Sequence, residues 1–148
     1  MDTLTRRQHW LSVLAFSPVT ELEKRWQTLN LHPQYALLRA AEIGLTRLQA
    51  RMGGTGKRFV LGDMTITRAV VRLADGTCGY SYVAGRDKTH AERCAVIDAL
   101  LQLPESHDRL QEHLIKPLAA QRVALCEQRA REIASSKVDF FTLVRGDN

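Results

Sequence analysis

Three cysteines are too few to staple this chain of 148 residues. Cys78, Cys94 and Cys126 are odd in number and form no Cys-x-x-Cys pair, which argues against a disulfide scaffold and a cysteine-built zinc site. The same usage suits a reducing cytoplasm. No apolar run approaches the roughly 20 residues of a membrane-spanning helix. The opening Met1–Arg7 leads into no uninterrupted apolar stretch with a small-residue cleavage site, so no signal peptide is expected. Missing too are His-Glu-x-x-His, the Gly-x-Ser-x-Gly elbow and Gly-x-Gly-x-x-Gly. Internal repeats, linkers and low-complexity segments are absent as well. What is left is one domain, residues 1–148, with no complete catalytic set of its own.

What is present is an ordinary globular balance, 45% hydrophobic and 25% charged, on a chain long enough to bury a core without staples. The net charge of +5 comes from 21 Lys and Arg against 16 Asp and Glu, spread along the chain. There is no Lys/Arg block and no basic stretch interleaved with aromatics, so a small nucleic-acid-binding module, like a free-standing phosphate- or metal-dependent enzyme, is the lesser alternative, and no membrane partner is expected. An acidic protein surface or a phosphorylated small molecule fits the same charge.

The most informative stretch is Tyr80–Leu103. Its first part is aromatic and β-branched, which suits a half-buried strand ending at Gly85. Arg86, Asp87 and Lys88 form a charged turn. Thr89 and Glu92 have the spacing of a capping box, in which the hydroxyl and the carboxylate satisfy orphan N–H groups at a helix start. From Ala91 to Leu103 nearly every residue is apolar, which predicts a buried helix. Arg86, Asp87, Lys88, His90, Glu92 and Arg93 therefore gather where the chain changes direction. One reading is a solvated helix start. The other is a site for an anion or a protein, since basic side chains and helix N–H groups both favour negative charge.

Elsewhere the pattern predicts helices over Thr5–Phe16 and Val19–Leu29, separated by Ser17-Pro18 because a residue before proline avoids helical backbone. Leu22, Trp26 and Leu29 recur at helical spacing. Tyr35–Ala41 has helix propensity but is read as the outer strand of a hairpin turned by Glu42-Ile43-Gly44. In Leu45–Met52, Arg47, Gln49 and Arg51 alternate with Leu48, Ala50 and Met52, a strand with one wet face. Gly62-Asp63 is read as a turn. Met64–Leu73 is the clearest strand, with Thr67, Ala69, Val71 and Leu73 on one face. Asp75-Gly76 signals a hairpin into Cys78–Ala84. A short helix is expected over Ser106–Lys116, then a long one over Leu118–Ser136 with Pro117 in its first turn. The apolar ending Val138–Val144 is read as a short strand. The fold class is thus α+β: an N-terminal helical hairpin, an antiparallel meander, a core helix and a long C-terminal helix ending in a strand.

Two further patterns invite chemistry. Gly53-Gly54-Thr55-Gly56, flanked by Arg51 and Lys57, resembles a phosphate loop but lacks P-loop spacing, and a hairpin turn needing positive φ explains it. His90-Ala91-Glu92 is the His-x-Glu of zinc deaminases, but the Pro-Cys-x-x-Cys that would complete the metal shell is missing.

Longer motifs say more. Arg6–Trp10, Ala50–Gly56, Gly62-Asp63 with Thr65, Thr67–Leu73, Asp75–Thr77, Gly79–Ser81, Gly85–Lys88, His90–Cys94 and Val138–Asp147 together resemble the G-subunit family of the bacterial phosphonate carbon–phosphorus lyase core complex. The resemblance covers essentially the whole chain and is weakest around Pro104 and His107. It implies a two-fold core of G, H, I and J subunits that acts with an ATP-binding-cassette-type L subunit. There a phosphonate replaces the adenine of ATP; from methylphosphonate the product is α-D-ribose 1-methylphosphonate 5-triphosphate. The resemblance assigns the nucleosidase step to the I subunit. It assigns later C–P cleavage, with S-adenosylmethionine and an iron–sulfur cluster, to the J subunit. It gives this subunit no cofactor, no metal and no catalytic residue of its own. Phe140, Phe141, Leu143 and Val144 are then expected to dock on the I subunit. Arg51, Gly53, Gly54, Gly56, Arg86, Asp87, Lys88, His90 and Glu92 are anion-binding or interface candidates.

Overall fold

The computed structural model describes residues 2–145, with side chains described as far as Ser136. Helices α1 (Thr3–Phe16) and α2 (Val19–Leu29) form the N-terminal hairpin. Ser17 ends α1, its hydroxyl donating to the Leu14 carbonyl at 2.7 Å. Asn30 ends α2 at φ 52°, a left-handed conformation that Asn tolerates better than most residues. Leu22, Trp26 and Leu29 all face the core.

Three antiparallel strands follow in the order β1 (Tyr35–Arg51), β2 (Arg58–Leu73) and β3 (Cys78–Ala84). The meander is as expected, but two of the expected turns are not turns. Glu42-Ile43-Gly44 lies inside β1, and Gly62-Asp63 lies inside β2. Tyr35 pairs with Leu73 and Arg51 with Arg58, so one reversal at the tip sets the whole ribbon in register. Continuous cross-strand pairing outweighs local turn propensity. The irregularity survives as register shifts between Leu37 and Arg39, between Arg39 and Glu42 and between Leu48 and Gln49, which bend a strand without reversing it. The Asp75-Gly76 hairpin forms, with the Thr77 N–H donating to the Asp75 carboxylate at 3.0 Å. Thr67, Ala69, Val71 and Leu73 are the buried face of β2.

Helix α3 (Lys88–Leu101) is the buried core helix. The expected Thr89–Glu92 capping box is replaced. Asp87 caps the helix, its carboxylate accepting from the His90 N–H at 3.0 Å. The helix starts at Lys88, which puts Thr89 inside the first turn and leaves the cap to Asp87, while Glu92 is held by Tyr35. Small residues let α3 lie close on β3. The Ser81 hydroxyl donates to the Ala91 carbonyl at 2.6 Å, and a Cβ on Gly79 would fall 1.9 Å from the Ala95 carbonyl oxygen.

Helix α4 (Pro104–Leu110), a π-helical turn (Gln111–Ile115) and α5 (Lys116–Arg145) form one helical run. Pro117 lies in the first turn of α5 as expected, but α5 runs on without a break from the turn before it. The wider turn before it, where the Lys116 N–H reaches the Gln111 carbonyl, accommodates a residue that lacks an N–H and crowds the preceding turn. The expected terminal strand is also corrected, because α5 continues through Arg145. No Gly or Pro interrupts the chain between Pro117 and Gly146, so an established helix has no local reason to stop. One hydrophobic cluster joins α1, α2, β2, β3, α3, α4 and the start of α5.

Candidate functional site

The candidates around the start of α3 are brought together, but mostly to hold the fold. His90 is buried, and its Nε2 lies 3.0 Å from the Leu14 carbonyl, to which it donates. Cys94 approaches the same oxygen at 3.6 Å, and burial pushes its thiol well above the ordinary range. Glu92 accepts from the Tyr35 hydroxyl at 2.5 Å, which raises the tyrosine's pKa. Arg93 pairs with Glu23 at 2.9 Å and lies over the Trp26 ring. Arg86 and Lys88 are exposed and make no ion pair among the described residues.

The other candidates are far away. Arg51 and the Gly53–Gly56 segment sit at the tip of the β1–β2 ribbon. Gly53 and Gly54 adopt φ of 60° and 83°, which side chains disfavour, and the Gly56 N–H closes onto the Met52 carbonyl at 2.7 Å. Gly85, beside Arg86, bonds instead to the Thr65 carbonyl. From Thr65 to the tip is roughly 20 Å at ~3.3 Å per strand residue. Arg51 and the glycine loop therefore do not share a site with Arg86 and Lys88 within this chain.

The most heavily used polar group is one the sequence reading passed over. Asp98 is fully buried in α3. Its carboxylate accepts from Arg7 Nε at 3.2 Å and Nη2 at 2.8 Å, from the Trp10 indole at 2.8 Å and from the Tyr80 N–H at 2.9 Å. The pairing raises the pKa of Arg7. A lone Asp in an otherwise apolar helix was the available signal, because a buried carboxylate needs partners. This hub ties α1, α3 and the outer edge of β3 together.

Beside it runs an apolar groove of about 480 Å³ between α1 and β3, lined by residues including Leu4, Leu11, Phe16, Tyr82 and Val83. The Tyr80 N–H on that edge is already taken by Asp98, so part of the strand edge is closed to an added strand. Among the described residues no three His, Cys, Asp or Glu side chains gather as metal ligands, and no helix is long and apolar enough to cross a membrane.

Two comparisons bear on this arrangement. Residues 5–146 match the family model described as phosphonate metabolism protein PhnG. The chain is 36% identical over 145 residues to the alpha-D-ribose 1-methylphosphonate 5-triphosphate synthase subunit PhnG of Rhizobium meliloti (strain 1021), covering 98% of this chain and 92% of that protein.

Proposed function

Because the chain belongs to the family of phosphonate metabolism protein PhnG, we propose that it is a non-autonomous subunit of an α-D-ribose 1-methylphosphonate 5-triphosphate synthase. The carrying observation is the match to a synthase subunit along 98% of the chain. In the assembled complex ATP and methylphosphonate give α-D-ribose 1-methylphosphonate 5-triphosphate and adenine, a transferase step. The partners are the H, I and J subunits, with the I subunit as direct neighbour and the L subunit joining for the coupled reaction. ATP is used by the complex. S-adenosylmethionine and the iron–sulfur cluster belong to the J subunit, and the location is the cytoplasm.

The local chemistry supports a supporting role. His90, Glu92 and Asp98 each hold one element against another and Asp87 caps its own helix, so all four are committed before any substrate arrives. Arg86 and Lys88 are the cluster's uncommitted cations, and they meet anionic oxygens of a nucleotide or a neighbouring subunit.

The test is reconstitution with ATP and methylphosphonate, reading adenine release. Release is expected only when this chain is present with its partners. Turnover by the chain alone, or full turnover without it, would falsify the reading. Arg86→Ala is expected to lower turnover severalfold while the complex keeps its stoichiometry; unchanged turnover removes Arg86 from the role.

A further inference from the structure

The β1–β2 ribbon outruns the rest of the sheet. β3 ends at Ala84 opposite Ile66, and beyond that point β1 and β2 continue as two strands alone. None of residues 44–65 is buried. A two-stranded ribbon is at best marginally stable in water, and it needs a third strand or a packed face. This one has neither among the described residues.

Its faces are unlike. Cross-strand pairing sets Ala50 opposite Phe59 and Thr46 opposite Met64, and alternation adds Leu48 to that apolar side. The opposite side carries Arg47 across from Asp63 and Arg51 across from Arg58, interspersed with Leu45 and Val60. Phe59 is 39% exposed, Leu48 41% and Met52 66%. Contiguous apolar surface of this kind marks an interaction site. The charge chooses the partner, since Arg47, Arg51, Lys57 and Arg58 face only Asp63.

We propose that residues 44–65 form an arm that docks, apolar face inward, on another subunit of the synthase, onto an apolar surface bordered by Asp and Glu. This rests on the subunit reading above. A second copy offers the same basic surface and is the poorer match. Nucleic acid would answer the charge but leave the Leu48–Phe59 face in water.

The experiment co-expresses the full chain with its partner subunits and captures the complex through a tag on a partner. Leu48→Asp combined with Phe59→Asp is expected to reduce the captured chain at least ~10-fold, the scale of a central contact. The isolated variant is expected to melt like the wild type, because these side chains pack on nothing in the core. A wild-type chain that binds and a variant that binds equally overturn the arm alone. A wild-type chain that is not captured overturns the subunit reading and with it the occupant named here. An isolated wild type that is dimeric, and monomeric with both aspartates, overturns the choice of occupant. Should the aspartates unfold the chain, Arg47→Glu with Arg51→Glu decides on the polar face: reduced capture supports docking, and unchanged capture overturns it.

Discussion

Around Asp98 the chain matches polar group to polar group, whereas along the β1–β2 arm it leaves apolar side chains in water. The first region gathers Arg7, Trp10, Tyr80 and Asp98 from three elements and buries the acceptor completely. The second has ladder bonds, one apolar face and one face that mixes Arg47, Arg51 and Arg58 with Leu45 and Val60. The outer part of α5 resembles the arm, since Val123 to Ser136 is exposed on every side, with Ile133 at 65%. The body is built to stand alone. The body buries a core of its own, whereas the two projections leave their side chains in water.

The contrast breaks most sharply at Asp98. Asp98→Ala is expected to lower unfolding free energy by about 3 kcal/mol or more, because it strands a guanidinium, an indole N–H and a backbone N–H. Urea denaturation measures this, and a loss under ~1 kcal/mol would show that the hub is not what joins α1, α3 and β3.

Two glycines sharpen the comparison at constant chemistry. A Cβ at Gly79 meets α3 backbone, whereas one at Gly44 in the arm meets nothing within 4 Å. Gly79→Ala is expected to destabilise by ~2–3 kcal/mol through overpacking. Gly44→Ala is expected to stay within ~0.5 kcal/mol. Equal effects would mean that the arm is packed as tightly as the body.

The cysteines report the same difference without mutation. Cys94 is buried with its thiol pKa raised, and Cys126 is exposed on α5. Iodoacetamide at pH 8 should label Cys126 quickly and leave Cys94 unmodified until the chain unfolds. Rapid labelling of Cys94 would place the opening between α1 and α3.

The smallest effect lies where β1 meets α3. Glu92 raises the pKa of Tyr35, so the folded state favours the protonated phenol. A raised folded-state value adds stability below the unfolded value of about 10 and loses it as pH rises through the folded value. The melting-temperature gap between wild type and Tyr35→Phe should therefore be present at pH 8 and shrink at strongly alkaline pH. A gap independent of pH would make the phenol's contribution one of shape alone.

Local physics was readable without a structure. Apolar spacing placed Leu22, Trp26 and Leu29 on one helix face, Ser17-Pro18 ended α1, and Asp75-Gly76 turned a hairpin. Alternation gave the buried face of β2. These depend on φ limits and side-chain period, which neighbouring residues set. The long motifs carried the family for the same reason, since they are contiguous. Tertiary structure alone decided the rest. Glu42–Gly44 and Gly62-Asp63 do not reverse the chain because each lies opposite a paired strand. The Val138–Val144 segment stays helical because α5 is already wound when the chain reaches it. His90 and Glu92 resemble a site in sequence, yet they point to Leu14 and Tyr35, far away along the chain. Asp98 has no meaning until Arg7 and Trp10 come to it. A buried charge is tolerable only when distant donors converge, and that convergence is a property of the folded chain.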